Sequence, residues 1–377
     1  MTGMGALRSN STRFSAAFHL ANAAKLCALF AISALVVFGS IALTTEAGRI
    51  AAIWPLNAII VAVLVRSRSL NALAVLATAA CANLIVAIAM GDPLELALPL
   101  AIANVVEIAI CWRILNGVGP FNITRVAHLV RFVLVAGVGA PMAAAVIAGV
   151  AFLGRAPFLE SSISWFAADA LGLLIFAPAL LAIDMRAIGL LAHRRQAIEA
   201  ALNFVLLTGV CVLVFGQGEY PLLFLVPPTV ALTTFRSGIN GAALSIIWVS
   251  ILAITFHLLG TGPAQSVDAG GYTGVYLLQA FLALLSVTTL PLATYLAENQ
   301  RHQESLRLAH AGTEAARRAA LSSEAHYRML AEHSTDIVVR LVPGGIISYA
   351  SPACRVLGFS PEQAVGRSTL DLSLIHI

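Results

Sequence analysis

The chain has 377 residues, of which 59% are hydrophobic and 11% charged, with a mean hydropathy of +0.91. A soluble domain carries roughly 25% charged residues, so the composition excludes a water-soluble globular protein and implies an integral membrane protein. The formal charge of +4 rests on arginine, Lys25 being the only lysine, and arginines set between apolar segments mark topology, not nucleic-acid binding.

Arg8, Arg13 and Lys25 precede the first apolar segment. That segment is too long, and followed by too many others, for a cleaved signal peptide. It reads as a first anchor behind a cytoplasmic N-terminal tail, residues 1–24. Segments approaching the ~20 residues that cross a bilayer lie near 26–44, 50–65, 70–90, 94–115, 132–153, 163–183, 198–215, 220–235, 239–259 and 275–297. Those at 50–65 and 220–235 are short and contain Pro55 and Pro227-Pro228, which suits tilted, broken or re-entrant pieces. The fold class expected is an all-α polytopic membrane helix bundle of 8–10 transmembrane helices.

Cytoplasmic loops are the arginine-rich ones. With the N-terminus inside, the inner loops hold Arg66, Arg68, Arg113, Arg125, Arg131, Arg186, Arg194, Arg195 and Arg236, and the outer loops only Arg49 and Arg155, nine against two. Either even span count returns the chain to the cytoplasm after Ala297. Of the five cysteines (Cys27, Cys81, Cys111, Cys211, Cys354), four sit in apolar runs and none forms a CxxC pair, so neither a disulfide framework nor a zinc site is suggested.

After the membrane domain, residues 25–298, the sequence turns polar, alanine-rich and free of proline, as a helix requires. Leu306, Ala309, Thr313, Ala316, Ala320, Ser323, Tyr327 and Leu330 follow an unbroken 3-4 spacing, the seam of a weak coiled coil that hints at a parallel homodimer. Residues 299–325 therefore read as a signalling or linker helix. From Thr335, "DIVVRLV" and "IISYAS" flank a Pro-Gly-Gly turn, a hairpin pattern. Two short helices follow, opened by Ser351-Pro352 and Ser360-Pro361-Glu362. Residues 326–377 span roughly 50 positions, fewer than an α+β domain uses to bury a core. The sequence reads as truncated there, and the closing "SLIHI" as a candidate non-native end.

Ionisable groups inside a membrane segment cost a few kcal/mol and usually face a cavity or a partner. Asp169 and Glu107 stand out among them, and Asn104 shares a helix face with Glu107 at a spacing of three. Asn57 and Asn83 in neighbouring segments, with Gln279 in the last, complete a possible polar cluster between helices. The plain alternative is that these side chains only hold helices together, each bond contributing on the order of 1 kcal/mol. Asp169 lies a few residues inside the segment 163–183, so it is also placed near enough to the outer surface to be wetted. His128 and His257 near span ends read as structural, as do the linker histidines 302, 310, 326 and 333. "FRSGINGAALS" reads as a tight turn into a small-residue helix. No Walker, HExxH, GxSxG, GGDEF or EAL signature is present, so the polypeptide as given reads as a non-enzyme without assigned cofactor or metal.

Several stretches, "AAIWPLNAIIVAVLV", "IANVVEIAICWRIL", "WFAADALGLLIFAPALL", "YPLLFLVPPTVALTTFRSGINGAALS" and "FLALLSVTTLPLATYLAE", resemble in order and spacing the bacterial membrane-associated sensor domain of the first type, the MASE family. The pattern Trp165, Asp169, Gly172, Pro178 is the most specific part. From about residue 322, "HYRMLAEHSTDIVVRLVPGGIISYASPACRVLGFSPEQAVGRS" resembles the N-terminal half of a PAS domain, α+β in fold and here truncated. The resemblance implies a sensory input module in the bacterial inner membrane, both termini cytoplasmic. Its stimulus, a small molecule or a signal in the lipid bilayer, would pass through PAS to a diguanylate cyclase, a cyclic-di-GMP phosphodiesterase or a histidine kinase. Asp169 and Glu107 would contact the stimulus or form the polar hinge. The rival reading is a transporter or channel binding substrate or ion at the same carboxyls, and a third is a structural anchor.

Overall fold

A computed structural model describes residues 3–42, 52–67, 69–117, 119–182, 194–263 and 273–372. Arg49, Arg68 and Arg186 of the loop tally, and the closing 373–377, lie outside them. The chain divides into two compact units, Met1–Gln300 and Arg301–Ile377.

The first unit is a helix bundle. Its elements in chain order are α1 (Gly3–Ala42), α2 (Leu56–Arg66), α3 (Ala72–Ala89), α4 (Leu94–Asn116), α5 (Val126–Leu134), α6 (Ala140–Ala151), α7 (Phe158–Ala182), α8 (Arg194–Phe215), α9 (Val226–Leu258) and the start of α10 (Thr273–Glu332). The helix α1 begins inside the expected N-terminal tail. Among the described residues, eight helical segments are long and apolar enough to cross a membrane. A π-helical turn, Val135–Gly139, joins α5 to α6 within one of them. It precedes Pro141, which has no N–H to give the preceding turn.

The two short segments depart from plain spans in different ways. Helix α2 has 11 residues, about 16 Å or half the hydrocarbon thickness, and Pro55 stands at its N-cap. It is nonetheless the most enclosed helix: Leu56, Ala58, Ile60 and Val61 are all at most 1% exposed. Its last residue, Arg66, donates to the Leu180 carbonyl at 2.7 Å, satisfying one of the acceptors that the end of α7 leaves open.

The other short segment, expected at 220–235, runs into the next within α9. The chain reverses between them at Gly238, where φ is +61° and ψ −149°. Thr233 Oγ1 lies 2.8 Å from Ser245 Oγ, whereas twelve residues of straight helix would put them about 18 Å apart. The two legs therefore lie side by side. Gly241 permits the approach, since a Cβ there would stand 2.9 Å from the Thr233 carbonyl oxygen.

In the second unit the expected hairpin is present. Strands β1 (Val339–Val342) and β2 (Ile346–Ala350) pair antiparallel through a turn in which Gly344 and Gly345 have φ of +99° and +74°. A 3-10 turn, Pro352–Leu357, ends at Gly358, and α11 (Pro361–Ala364) opens with a capping box between Ser360 and Gln363. Ile347, Ala350, Cys354 and Ala364 form the small core.

The backbone at Gly238 is nearly restricted to glycine, and nothing lies within 4 Å of a Cβ there, so the effect of a methyl group is purely conformational. Gly238→Ala is expected to cost about 1–3 kcal/mol, read as a lowered unfolding midpoint of the detergent-purified protein.

Candidate functional site

Four of the five candidate side chains meet in the middle of the bundle. Asn57, in the first turn of α2, donates from Nδ2 to Asn104 Oδ1 at 2.9 Å and to Glu107 Oε2 at 2.8 Å. Asn104 in turn gives its own Nδ2 to the Leu100 carbonyl. On the facing helix α7, the carboxyl group of Asp169 lies beside that of Glu107. Two oxygens, Glu107 Oε1 and Asp169 Oδ2, complete no hydrogen bond. All four residues are at most 3% exposed.

Asp169 lies deeper along its helix than the hydropathy boundaries place it. Helix α7 begins at Phe158, five residues before the start expected from hydropathy, because Ser161, Ser162 and Ser164 depress the apolar signal while remaining helical. That places Asp169 close to the helix midpoint. Asn83 lines the pocket described next and is 6% exposed. Gln279 is not part of the cluster.

Glycine at position 172 decides how α2 reaches this place. Residues Ala52 to Trp54 run non-helically against α7, the Trp54 N–H donating to the Ala168 carbonyl at 3.1 Å. A Cβ on Gly172 would stand 2.1 Å from the Trp54 carbonyl oxygen. Non-helical backbone at membrane depth has to be satisfied within the protein. The Ala52 carbonyl is satisfied by Gln279 Nε2 of α10, at 2.8 Å.

Beside the carboxyls opens a pocket of about 50 Å³, lined by Trp54, Asn83, Asn104, Trp165 and Asp169 with Asp92 and apolar residues. The two indole rings face each other at 6.5 Å between centroids, tilted by 36°. Neither indole Nε1 makes a hydrogen bond; that of Trp165 lies near the Asp169 carboxyl without completing one. The sequence does not single out the tryptophans as site residues, because aromatic side chains are ordinary in membrane helices. Trp165 belongs to the Trp-Asp-Gly-Pro pattern, one turn before Asp169, and that spacing is the available signal. Among the described residues no cluster of three or more His, Cys, Asp or Glu fit to hold a metal ion is present.

The MASE1 family model matches residues 24–300. The chain belongs to the MASE1 family. MASE1 is a membrane-associated sensor domain of signalling proteins, so the multi-span bundle described above is a sensory module. No curated protein and no solved structure matches the chain. Within the MASE1 bundle, the carboxyl pair, the α2 break and the tryptophan pocket are one continuous site.

Two substitutions test the geometry. Asn57→Ala leaves Asn104 Oδ1 and Glu107 Oε2 without this donor and is expected to destabilise the bundle by about 1–3 kcal/mol, measured as a shift in the unfolding midpoint in nanodiscs. Gly172→Ala drives a methyl group into the Trp54 backbone and is expected to cost about 1–3 kcal/mol or more. It should also alter the tryptophan fluorescence spectrum, which Asn57→Ala should leave closer to wild type.

Proposed function

We propose that the MASE1 bundle receives a stimulus at the Trp54–Trp165 pocket and passes it along α10 to the C-terminal unit, which we read as PAS-type. From there the signal goes to an output domain of the diguanylate cyclase, cyclic-di-GMP phosphodiesterase or histidine kinase class. The protein would sit in a bacterial inner membrane with both termini cytoplasmic, and pair with a second copy along the linker seam.

One observation carries this reading. Helix α10, which leaves the bundle, is tied to both walls of the pocket. Its Gln279 holds the Ala52 carbonyl, two residues before Trp54, and its Tyr276 hydroxyl bonds Ser164 Oγ, beside Trp165. A change in the separation of the indoles therefore acts on the first turns of α10. Further along, Thr294 Oγ1 donates to the Ile123 carbonyl at 3.3 Å and Glu298 accepts from the Val126 N–H at 3.2 Å, so the same helix is also held near the other end of its apolar stretch. A stimulus has to bias two arrangements of such an element to be transmitted.

A transporter would use the same carboxyls beside a broken helix. What favours sensing is that the helix reading the pocket is a single element, Thr273–Glu332, which runs on into a polar segment that transport has no use for.

The test is disulfide cross-linking in native membranes of single-cysteine substitutions from Ala309 to Ala320. Cross-linking should peak at seam positions with 3-4 spacing, and Asp169→Asn should change the pattern while the protein remains monodisperse and membrane-inserted. An absence of periodic cross-linking removes the dimer seam. A periodic pattern indifferent to Asp169→Asn returns the bundle to an anchor or a transporter.

A further inference from the structure

We infer that the tryptophan pocket binds a small protonated amine that also carries a hydrogen-bond acceptor, an amino alcohol being the simplest example. This names the ligand class of the site proposed above as the stimulus site, and rests on that reading only for its consequence, not for the binding itself.

The lining settles the sign of the charge. Asp169, in the wall, contributes a carboxyl, and among the described residues no lysine, arginine or histidine lines the pocket. An anion entering it would be desolvated beside Asp169 with no cation to meet it, which is costly. A cation is favoured twice. Asp169 Oδ2 is buried and completes no hydrogen bond, and the faces of two indole rings stand close together. Ring faces carry negative quadrupole charge and hold ammonium groups, tryptophan most strongly.

Polar complementarity supplies the second group. Trp54 Nε1 is a buried donor that completes no hydrogen bond, and Trp165 Nε1, near the Asp169 carboxyl, completes none either; a buried donor left unpaired is destabilising. A ligand with an ammonium at one end and a hydroxyl or carbonyl at the other meets both unmet needs. Asn83 and Asn104 add side-chain carbonyls for the remaining ammonium hydrogens, Asn104 Oδ1 having accepted one bond from Asn57. The pocket's apolar walls, Ala87, Ala97 and Leu100, suit a short carbon chain between the two ends.

The same ammonium chemistry is offered by free amines and by the headgroup of an aminolipid. The experiment therefore uses the full chain in nanodiscs of phosphatidylglycerol alone, titrated with ethanolamine and followed by intrinsic tryptophan fluorescence. Ethylene glycol serves as the uncharged probe and glycolate as the anionic one. A saturable change with ethanolamine, absent with the other two and weakened about tenfold or more by Asp169→Asn, is expected. Because Asp169→Asn risks misfolding, Trp165→Leu is measured beside it and should also weaken binding. If phosphatidylethanolamine in the nanodisc competes with free ethanolamine, the source is the lipid. If it does not, the source is a soluble amine.

Equal responses to ethylene glycol or glycolate, no response to ethanolamine, or unchanged binding in both variants would overturn the assignment. Its failure is separable from that of the sensor reading. Without amine binding, a linker cross-linking pattern that still responds to Asp169→Asn leaves sensing intact and the ligand class wrong. Amine binding that leaves the cross-linking unchanged keeps the ligand class and removes the sensor reading.

Discussion

A carboxyl group at the midpoint of an apolar helix has to find a partner inside the protein, because the surrounding hydrocarbon offers none. In this bundle Asp169 faces Glu107, and Glu107 is in turn held by Asn57. That chain of contacts joins α7, α4 and α2. To deliver Asn57 there, α2 has to start at mid-depth and not at the surface. The start at mid-depth is what forces Ala52–Trp54 into a non-helical path and requires glycine at position 172. The break in α2, the close backbone approach and the pocket between the indoles all follow from accommodating one carboxyl.

The arrangement also explains why a sensor can be built from it. Polar groups inside a bundle are stabilising only when fully paired, and several here are not: the two indole N–H groups and one oxygen of Asp169 complete no hydrogen bond. A core fully satisfied in one arrangement has no reason to respond to a ligand, whereas one with unmet donors and acceptors gains from binding whatever supplies them. The groups that α10 grips, the Ala52 carbonyl and Ser164, lie next to the unsatisfied indoles in sequence, so the helix that leaves the bundle is attached where binding would act.

Much of this was legible in the sequence. Intramembrane polar residues are few, and the spacing of three between Asn104 and Glu107 puts them on one face without any structure. Pro55 marks the α2 break, and the Gly238 turn and the Pro-Gly-Gly hairpin are written in residues that permit positive φ. What was not legible is rotational phase. Gln279 is polar and intramembrane like Asn57, yet it points at a backbone carbonyl away from the carboxyls, and nothing in a hydropathy pattern distinguishes the two. Hydropathy also places the start of α7 five residues late, because serine-rich turns there lower it without ending the helix. The tryptophan pair is hidden for a related reason: Trp54 and Trp165 are brought together only by the close contact at Gly172.

Hydrogen–deuterium exchange across residues 273–332 of the intact protein in nanodiscs, comparing wild type with Tyr276→Phe/Gln279→Leu, addresses the central claim most directly. If α10 reads the pocket through those two side chains, cutting both contacts should change protection in the first turns of the helix and also in its polar segment beyond Gln300. A change confined to the apolar turns, with the polar segment exchanging as in wild type, would contradict transmission along the helix.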